Sequence, residues 1–298
     1  MLYPLSYGGG GSIVPNAPRV PAAAVSGWRC PSGGARRDNV ASIGHHPAMA
    51  ELYLVRHAQA AFGTDDYDRL TDLGHRQAAW LGGYFNERGM TFDRVLAGTL
   101  RRHRETIDGI ASAGVSLAPT KIDAGLDEYD PERLLTAHQA ATAGRRSEPV
   151  PPLHLDSMPR GVRAEPADDA ASAVATRKHH FRQLRDALNA WTQGQLDPEA
   201  HRPFDRFQQD AYRAFELAWQ AERSDAKRVL IVSSGGPIAS IVARHLEMPV
   251  AHFVTLNLQI RNSGFCEIRF NARGAQLISF NNVPHLDTLE RRQHITFA

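Results

Sequence analysis

The stretch Leu52-Tyr53-Leu54-Val55-Arg56-His57 limits what this chain can fold into more than any other segment. Four apolar or aromatic residues in an unbroken run read as a short strand buried on both faces, the kind found in sheets covered by helices. The run ends abruptly in an Arg-His pair. In open α/β sheets the C-terminal end of a strand is where ligands bind. An arginine there presents a planar fork of donors suited to a phosphoryl group. The adjacent imidazole has the chemistry of a nucleophile, a general base or a metal ligand. Taken alone the pair also fits an ordinary loop, so the weight falls on the rest of the chain.

With 298 residues, the chain has room for one large domain or two small ones. Its 42% hydrophobic and 22% charged residues are those of a water-soluble globular protein. No run of about 18 apolar residues is present, so a membrane is not expected as a partner. Cys30 and Cys266 lie far apart and fit no metal-binding spacing, which argues against a disulfide framework and for a reducing cytoplasm. Four arginines (Arg19, Arg29, Arg36 and Arg37) against Asp38 make residues 1–48 basic and leave the remainder close to neutral. Such a body carries no electrostatic footprint for nucleic acid.

Residues 1–48, with Tyr7-Gly-Gly-Gly-Gly-Ser12, scattered prolines and no periodicity, are expected to be a disordered extension. The tetraglycine is followed by no Gly-Lys-Ser/Thr and is not a phosphate loop. Met49 enters the first strand directly, which suggests it as the true translation start. From there the order is strand, helix, strand, helix. Thr71 is placed to cap a helix that ends near Gly89. Asp93–Ala97 is a second strand, followed by a helix from about Leu100 to Ala113 and a short strand near Lys121-Ile122. Residues 139–176 show no period. Helical patterns return over 177–193 and 204–224. Arg228–Ser233 is a second buried strand, with Pro237 opening a helix, and Phe265–Phe270 and Gln276–Phe280 suggest a late hairpin. This alternation predicts an α/β sheet with mostly parallel early connections and an antiparallel edge.

Three further features fall at strand ends. Gly98-Thr99-Leu100-Arg101-Arg102 places Thr99 as a helix cap with Arg102 in the first turn, where helix amides attract an anion. Arg101 and Arg102 point in different directions on a helix, so one can face the sheet while the other stays in water. Leu126-Asp127-Glu128-Tyr129-Asp130 is an acidic cluster before Pro131, and on composition alone also a turn or helix start. Ser233-Ser234-Gly235-Gly236-Pro237 runs from a strand into a helix through small residues that let amides approach a ligand. Together these converge on a site for a phosphoryl group.

At this point the chain resembles the histidine phosphatase superfamily, also called phosphoglycerate mutase-like. Arg56-His57-Ala58 stands where the family usually shows Arg-His-Gly. Thr71-Asp-Leu-Gly74 with Gln77-Ala78 resembles its Thr-x-Leu-Gly-x-x-Gln-Ala segment. Thr99-Leu100-x-Arg102-x-x-x-Thr106 resembles the stretch carrying its second arginine, and Leu126-x-Glu128 its acid loop. The resemblance implies a three-layer α/β/α fold with a mostly parallel central sheet, over residues 49–298. Residues from about 129 to 227 would form a helical and loop cap that selects the substrate. It implies a phosphomonoesterase in which His57 is the nucleophile, Arg56 and Arg102 hold the phosphoryl oxygens, and Glu128 is the general acid. Gln59, Ser234 and Gly235 would add phosphate contacts. The partner would be a small phosphorylated substrate or a phosphoprotein, with no metal and no cofactor, because the arginines neutralise the charge.

One departure stands out. Where the family carries a second histidine after the late strand, this chain has Ser234, and losing a preorganised donor costs on the order of 10²–10³ in rate. His154, His179 or His180 are candidates to fill that gap. The alternatives are a non-catalytic or very slow phospholigand-binding protein and a phosphoglycerate mutase-type phosphotransferase. A serine hydrolase using Ser234 is a further one, though no Gly-x-Ser-x-Gly elbow is present.

Overall fold

The computed structural model describes residues 50–61, 66–143, 167–219, 227–271 and 274–297. The expected extension over 1–48, the start at Met49 and the segment holding His154 lie outside these residues. β1, Ala50–Arg56, is the strand expected from the sequence, with Leu52, Leu54 and Val55 wholly buried. It pairs in parallel with β4, Arg228–Ser233, which pairs in parallel with β2, Arg94–Ala97, and β2 in turn with β3, Thr120–Ile122. On its other side β1 pairs antiparallel with β5, Phe265–Asn271, which pairs antiparallel with β6, Gly274–Asn282. The six-stranded order is β3-β2-β4-β1-β5-β6. The sheet is thus parallel early and antiparallel at its late edge, as the alternation of elements indicated.

Side chains alternate across a strand, and here that period of two separates two cores. Leu52, Leu54, Val229 and Ile231 face one layer, and Tyr53, Val55, Leu230 and Val232 the other. The second layer is closed by Leu81 and Phe85 of α1, Asp72–Asn86, and by Ile107 and Ile110 of α2, Arg101–Ser112. The first is closed by five helices: α3 (Pro131–Thr142), α4 (Ala167–Thr192), α5 (Phe204–Trp219), α6 (Gly235–His245) and α7 (Ala251–Gln259). Trp191, Phe207, Phe215 and Phe253 fill it. Truncating one of these aromatics costs about 3–5 kcal/mol, a large share of a domain's net stability.

Local signals explain most boundaries. Thr71 Oγ1 accepts from the Gly74 amide at 2.9 Å and starts α1, and Gly89 takes a φ of +59° just past its end. A Cβ on Gly74 would stand 2.1 Å from the Gln59 carbonyl oxygen, so only glycine lets α1 approach the loop after His57 so closely. Helix invades both ends of the stretch 139–176, for which no regular element was expected. α3 starts with Pro131 and an Asp130 cap on the Arg133 amide and runs to Thr142, while α4 begins at Ala167. The start of α4 is rich in alanine, whose intrinsic helix preference needs no apolar period. α7 was also unforeseen.

These connections place the site. The chain leaves β1 toward β2 and leaves β4 toward β5, in opposite directions. The C-terminal ends of the neighbouring β1 and β4 therefore flank the crevice where such sheets bind ligands.

Candidate active site

Arg56 is the last residue of β1 and His57 follows it, and both are buried. The His57 amide donates to Ser233 O at 2.8 Å and the Arg56 amide to Gly264 O at 2.9 Å. The His57 carbonyl accepts from the Ser263 amide at 3.2 Å. Main chain thus clamps the pair from both neighbouring strands. His57 Nδ1 lies 2.7 Å from the Ala58 carbonyl. A carbonyl only accepts, so Nδ1 carries the proton and Nε2 presents the lone pair. Burial, then Arg102, Arg56 and His103, hold the imidazole well below its ordinary range, against the smaller opposing pull of the Ala58 carbonyl. His57 is therefore neutral at physiological pH.

Arg102, in the first turn of α2, is 4% exposed, while Arg101 turns outward to Glu105 and Asp66. That divergence is the one the helical spacing indicated. Thr99 does not cap α2. Its amide and hydroxyl both donate to the Asp127 carboxylate, at 2.6 and 2.7 Å, and Leu100 takes the cap position with no side-chain bond. An ionised carboxylate is the stronger partner and draws the hydroxyl away from the helix. The first α2 amide, on Arg101, is satisfied by Asp68 at 2.7 Å instead. Asp68 also receives Arg102 Nη1 at 2.8 Å, and the Arg102 guanidinium lies over the Tyr67 ring, 5.1 Å from its centre. The Nε atoms of Arg56 and Arg102 are buried without a partner among the described residues. Thr106 ties α2 to the loop after His57 by accepting from the Ala58 amide at 3.1 Å.

Glu128 comes to the start of α6, where its carboxylate accepts from the Gly236 amide at 3.1 and 3.2 Å. Burial raises its pKa, while the Gly236 amide, Arg102 and Arg56 pull the other way. Ser233 Oγ donates to Leu126 O at 2.6 Å and fixes the acid loop to the end of β4. Ser234 and Gly235 are buried at the same place, and a Cβ on Gly235 would stand 2.8 Å from Asn257 Oδ1. Ser234 Oγ does not cap its own helix. It lies 2.8 Å from Nε2 of His103, a fully buried residue of α2 whose ring centre is 5.7 Å from that of His57.

Arg56, His57, Arg102, Glu128, Ser234 and Gly235 thus meet at one end of the sheet. Gln59 is turned elsewhere, with its side-chain oxygen accepting from Thr71 Oγ1 at 2.8 Å and its amide donating to Gln77. His179, on α4, is exposed. The histidine that meets Ser234 is His103, which was not among the histidines considered for that place. A signal was present: His103, Thr106, Ile107 and Ile110 recur at helical spacing and form the buried face of α2. Tyr67 and Asp68 were also missed, because the path of a loop leaves no periodic trace. Among the described residues no group of three or more His, Cys, Asp or Glu is arranged to hold a metal ion, and no helix is long and apolar enough to cross a membrane.

An α/β sheet carrying a buried histidine and two arginines at its strand ends defines a class of anion site, and the comparisons with known proteins are specific about the family. A family model described as histidine phosphatase superfamily (branch 1) matches residues 52–177 and 173–283, and the chain belongs to that superfamily. A phosphoglycerate mutase from Bacillus anthracis str. Sterne is similar in structure, with TM-score 0.51, 14% identity and coverage of 80% of this chain and 96% of that one. Bacillus stearothermophilus YhfR is similar at TM-score 0.50 and 17% identity, covering 79% and 98%. These likenesses establish the phosphoglycerate mutase-like fold. In sequence, 67 residues are 39% identical to the mitochondrial serine/threonine-protein phosphatase Pgam5 of Drosophila grimshawi, a match spanning 22% of this chain and 23% of that protein.

Proposed function

We propose that this protein hydrolyses a phosphomonoester through a phosphohistidine at His57. The observation that carries the reading is the state of His57: neutral, protonated on Nδ1 by its bond to Ala58, and standing among Arg56, Arg102 and Glu128. His57 Nε2 attacks phosphorus as the bond to the leaving oxygen breaks, and Glu128, whose pKa burial raises, gives its proton to that oxygen. Glu128 as carboxylate then takes a proton from water, whose oxygen attacks the phosphohistidine and releases phosphate and free His57. Arg56 and Arg102 hold the equatorial oxygens and balance their charge, the task a metal ion performs in other phosphoryl-transfer sites. The substrate is a small phosphorylated molecule or a phosphoprotein, and α3, α4 and α5 belong to the segment that would select it. The phosphatase name of the partial Pgam5 relative agrees with hydrolysis. The buried Cys266, its thiol pushed up to about 12 mainly by burial, is unreactive and fits the proposed cytoplasmic setting.

The test is turnover of an aryl phosphate by wild type and His57→Ala, with quenching in alkaline detergent to trap the phosphoenzyme. Expected is an acid-labile, alkali-stable label in wild type and its complete loss, with turnover, in the variant. Turnover that survives His57→Ala sinks the reading. Phosphate binding without turnover in wild type assigns the protein to the ligand-binding alternative. Transfer of the label to a second phosphate acceptor in preference to water assigns it to the mutase alternative.

A further inference from the structure

We propose that Ser234 and His103 act as one unit, in which His103 positions Ser234 and the Ser234 hydroxyl donates the hydrogen bond to the phosphoryl group that a second strand-end histidine would otherwise give. This rests on the phosphatase reading above. The first ground is placement. His103 follows Arg102 directly, is fully buried, and holds Nε2 2.8 Å from Ser234 Oγ, beside the His57 ring. The unit therefore joins the two elements that already supply an arginine and a helix start.

The second ground is what Ser234 forgoes. An N-cap serine ordinarily accepts from an amide of its own first turn. Ser234 makes no such bond, and the Gly236 amide it would reach is taken by Glu128. The hydroxyl is reserved for the imidazole and for whatever enters the pocket. The third ground is room made for the ring: a Cβ on Gly98 would stand 2.6 Å from His103 Nδ1, so glycine before α2 is what admits a histidine at this position.

The direction of the hydrogen bond follows from the chemistry of the ligand. Phosphoryl oxygens only accept, so Ser234 assists only with its hydrogen pointing away from His103. That requires Nε2 to hold the ring proton and donate to Oγ. Nδ1 has no hydrogen-bond partner among the described residues; the Gly98 backbone beside it pulls the imidazole up, less than burial and Arg102 pull it down, and makes no bond that would hold the proton away from Nε2. Burial, then Arg102, pushes the His103 imidazole down to about 3, so one ring proton is all it carries at working pH. The unit supplies direction, and the arginines supply charge. It also excludes a histidine at 234, whose ring would enter the space His103 fills.

The experiment measures kcat/KM on an aryl phosphate and orthovanadate binding, with thermal midpoints recorded for each protein, in wild type and a set of variants. Ser234→Ala and His103→Ala are each expected to lower kcat/KM by about 10–100-fold, less than the loss of a charged donor. The double variant should be no worse than the poorer single one, as for residues acting as a unit. His103→Gln, whose amide reaches about as far as Nε2, should recover most of the His103→Ala loss. Ser234→His alone should lose activity, and adding His103→Ala to it should restore at least tenfold. Additive losses, or His103→Gln no better than His103→Ala at an equal midpoint, would overturn the proposal by making His103 a space-filler. If wild type turns over through His57 while Ser234 and His103 prove indifferent, the phosphatase reading stands and this one falls. If wild type shows no turnover, vanadate affinity decides. Matched, non-additive weakening in the two alanine variants supports the unit, and unchanged affinity ends it.

Discussion

Glu128 and His57 are displaced in opposite directions by the same burial, and the proposed first step needs Glu128 protonated and His57 neutral. On an alkyl phosphate, whose leaving oxygen needs a proton, kcat/KM should fall as pH rises through the raised Glu128 pKa. It should fall again at low pH only where His57 gains its proton, well below the ordinary histidine range. A decline toward alkaline pH is expected, and a flat profile from about pH 5 to 9 counts against Glu128 as the acid. Glu128→Gln should cost about 10²–10⁴ on the alkyl ester and much less on an aryl ester with a good leaving group. Asp68 makes a second prediction. Its carboxylate holds Arg102 Nη1 at 2.8 Å, where a phosphoryl oxygen would otherwise bond. Asp68→Asn should therefore tighten orthovanadate inhibition severalfold, and a weakened inhibition would mean that Asp68 orients Arg102 more than it competes for it.

At the scale of elements, α6 receives the Glu128 carboxylate through a glycine. A Cβ on Gly236 would lie 2.2 Å from Glu128 Oε1 and 2.9 Å from Tyr129 Cδ1, so Gly236→Ala must displace the carboxylate. Activity should drop about 100-fold with the thermal midpoint nearly kept, which stopped-flow and calorimetry on one sample separate. The elements that carry the pocket were legible because each announces its own end. β1 and β4 are apolar runs closed by Arg56-His57 and Ser233-Ser234, and α1 opens with Thr71 and closes near Gly89. Arg56, His57, Arg102, Glu128 and Ser234 lie at such ends and could be foreseen to meet. His103 could not be placed in the same way, because its contact with Ser234 depends on how α2 is rotated against β4. That rotation is fixed by Ile107 and Ile110 in the core, by Asp68 at the α2 amide, and by Asp127 drawing Thr99 away from the cap. α3 and α7 were obscured for another reason: short helices that pack on neighbours need little periodicity of their own.

Across the molecule as a whole, four histidines are buried among the described residues. His57 is held well below the ordinary value, His201 below it, and His103 and His285 are pushed down to about 3, in each case mainly by burial. In the unfolded chain each takes a proton near pH 6.5. Below that pH the unfolded state binds more protons, so the stability each contributes above about 6.5 is lost progressively as pH falls toward its folded value, about 3 for His103 and His285. The slope is at most about 1.4 kcal/mol per pH unit for each histidine. Glu128, with its pKa raised in the fold, has the opposite sign and offsets one proton of that slope between its unfolded and folded pKa. Urea midpoints between pH 4 and 7 should therefore decline on acidification. His285→Gln should shallow the decline by one proton, and an unchanged slope would show that His285 is not buried neutral. The ion pair of Asp68 with Arg102 has a consequence for noise rejection. Asp68 is a tethered carboxylate, present at an effective concentration of the order of millimolar or above whatever the surroundings hold. Chloride at low millimolar levels, a single charge without a fork of acceptors, should not displace it. A phosphate monoester dianion, offering such a fork to Arg102, should. On the proposed reading the pocket thus carries an affinity threshold of its own, and background chloride does not register as substrate.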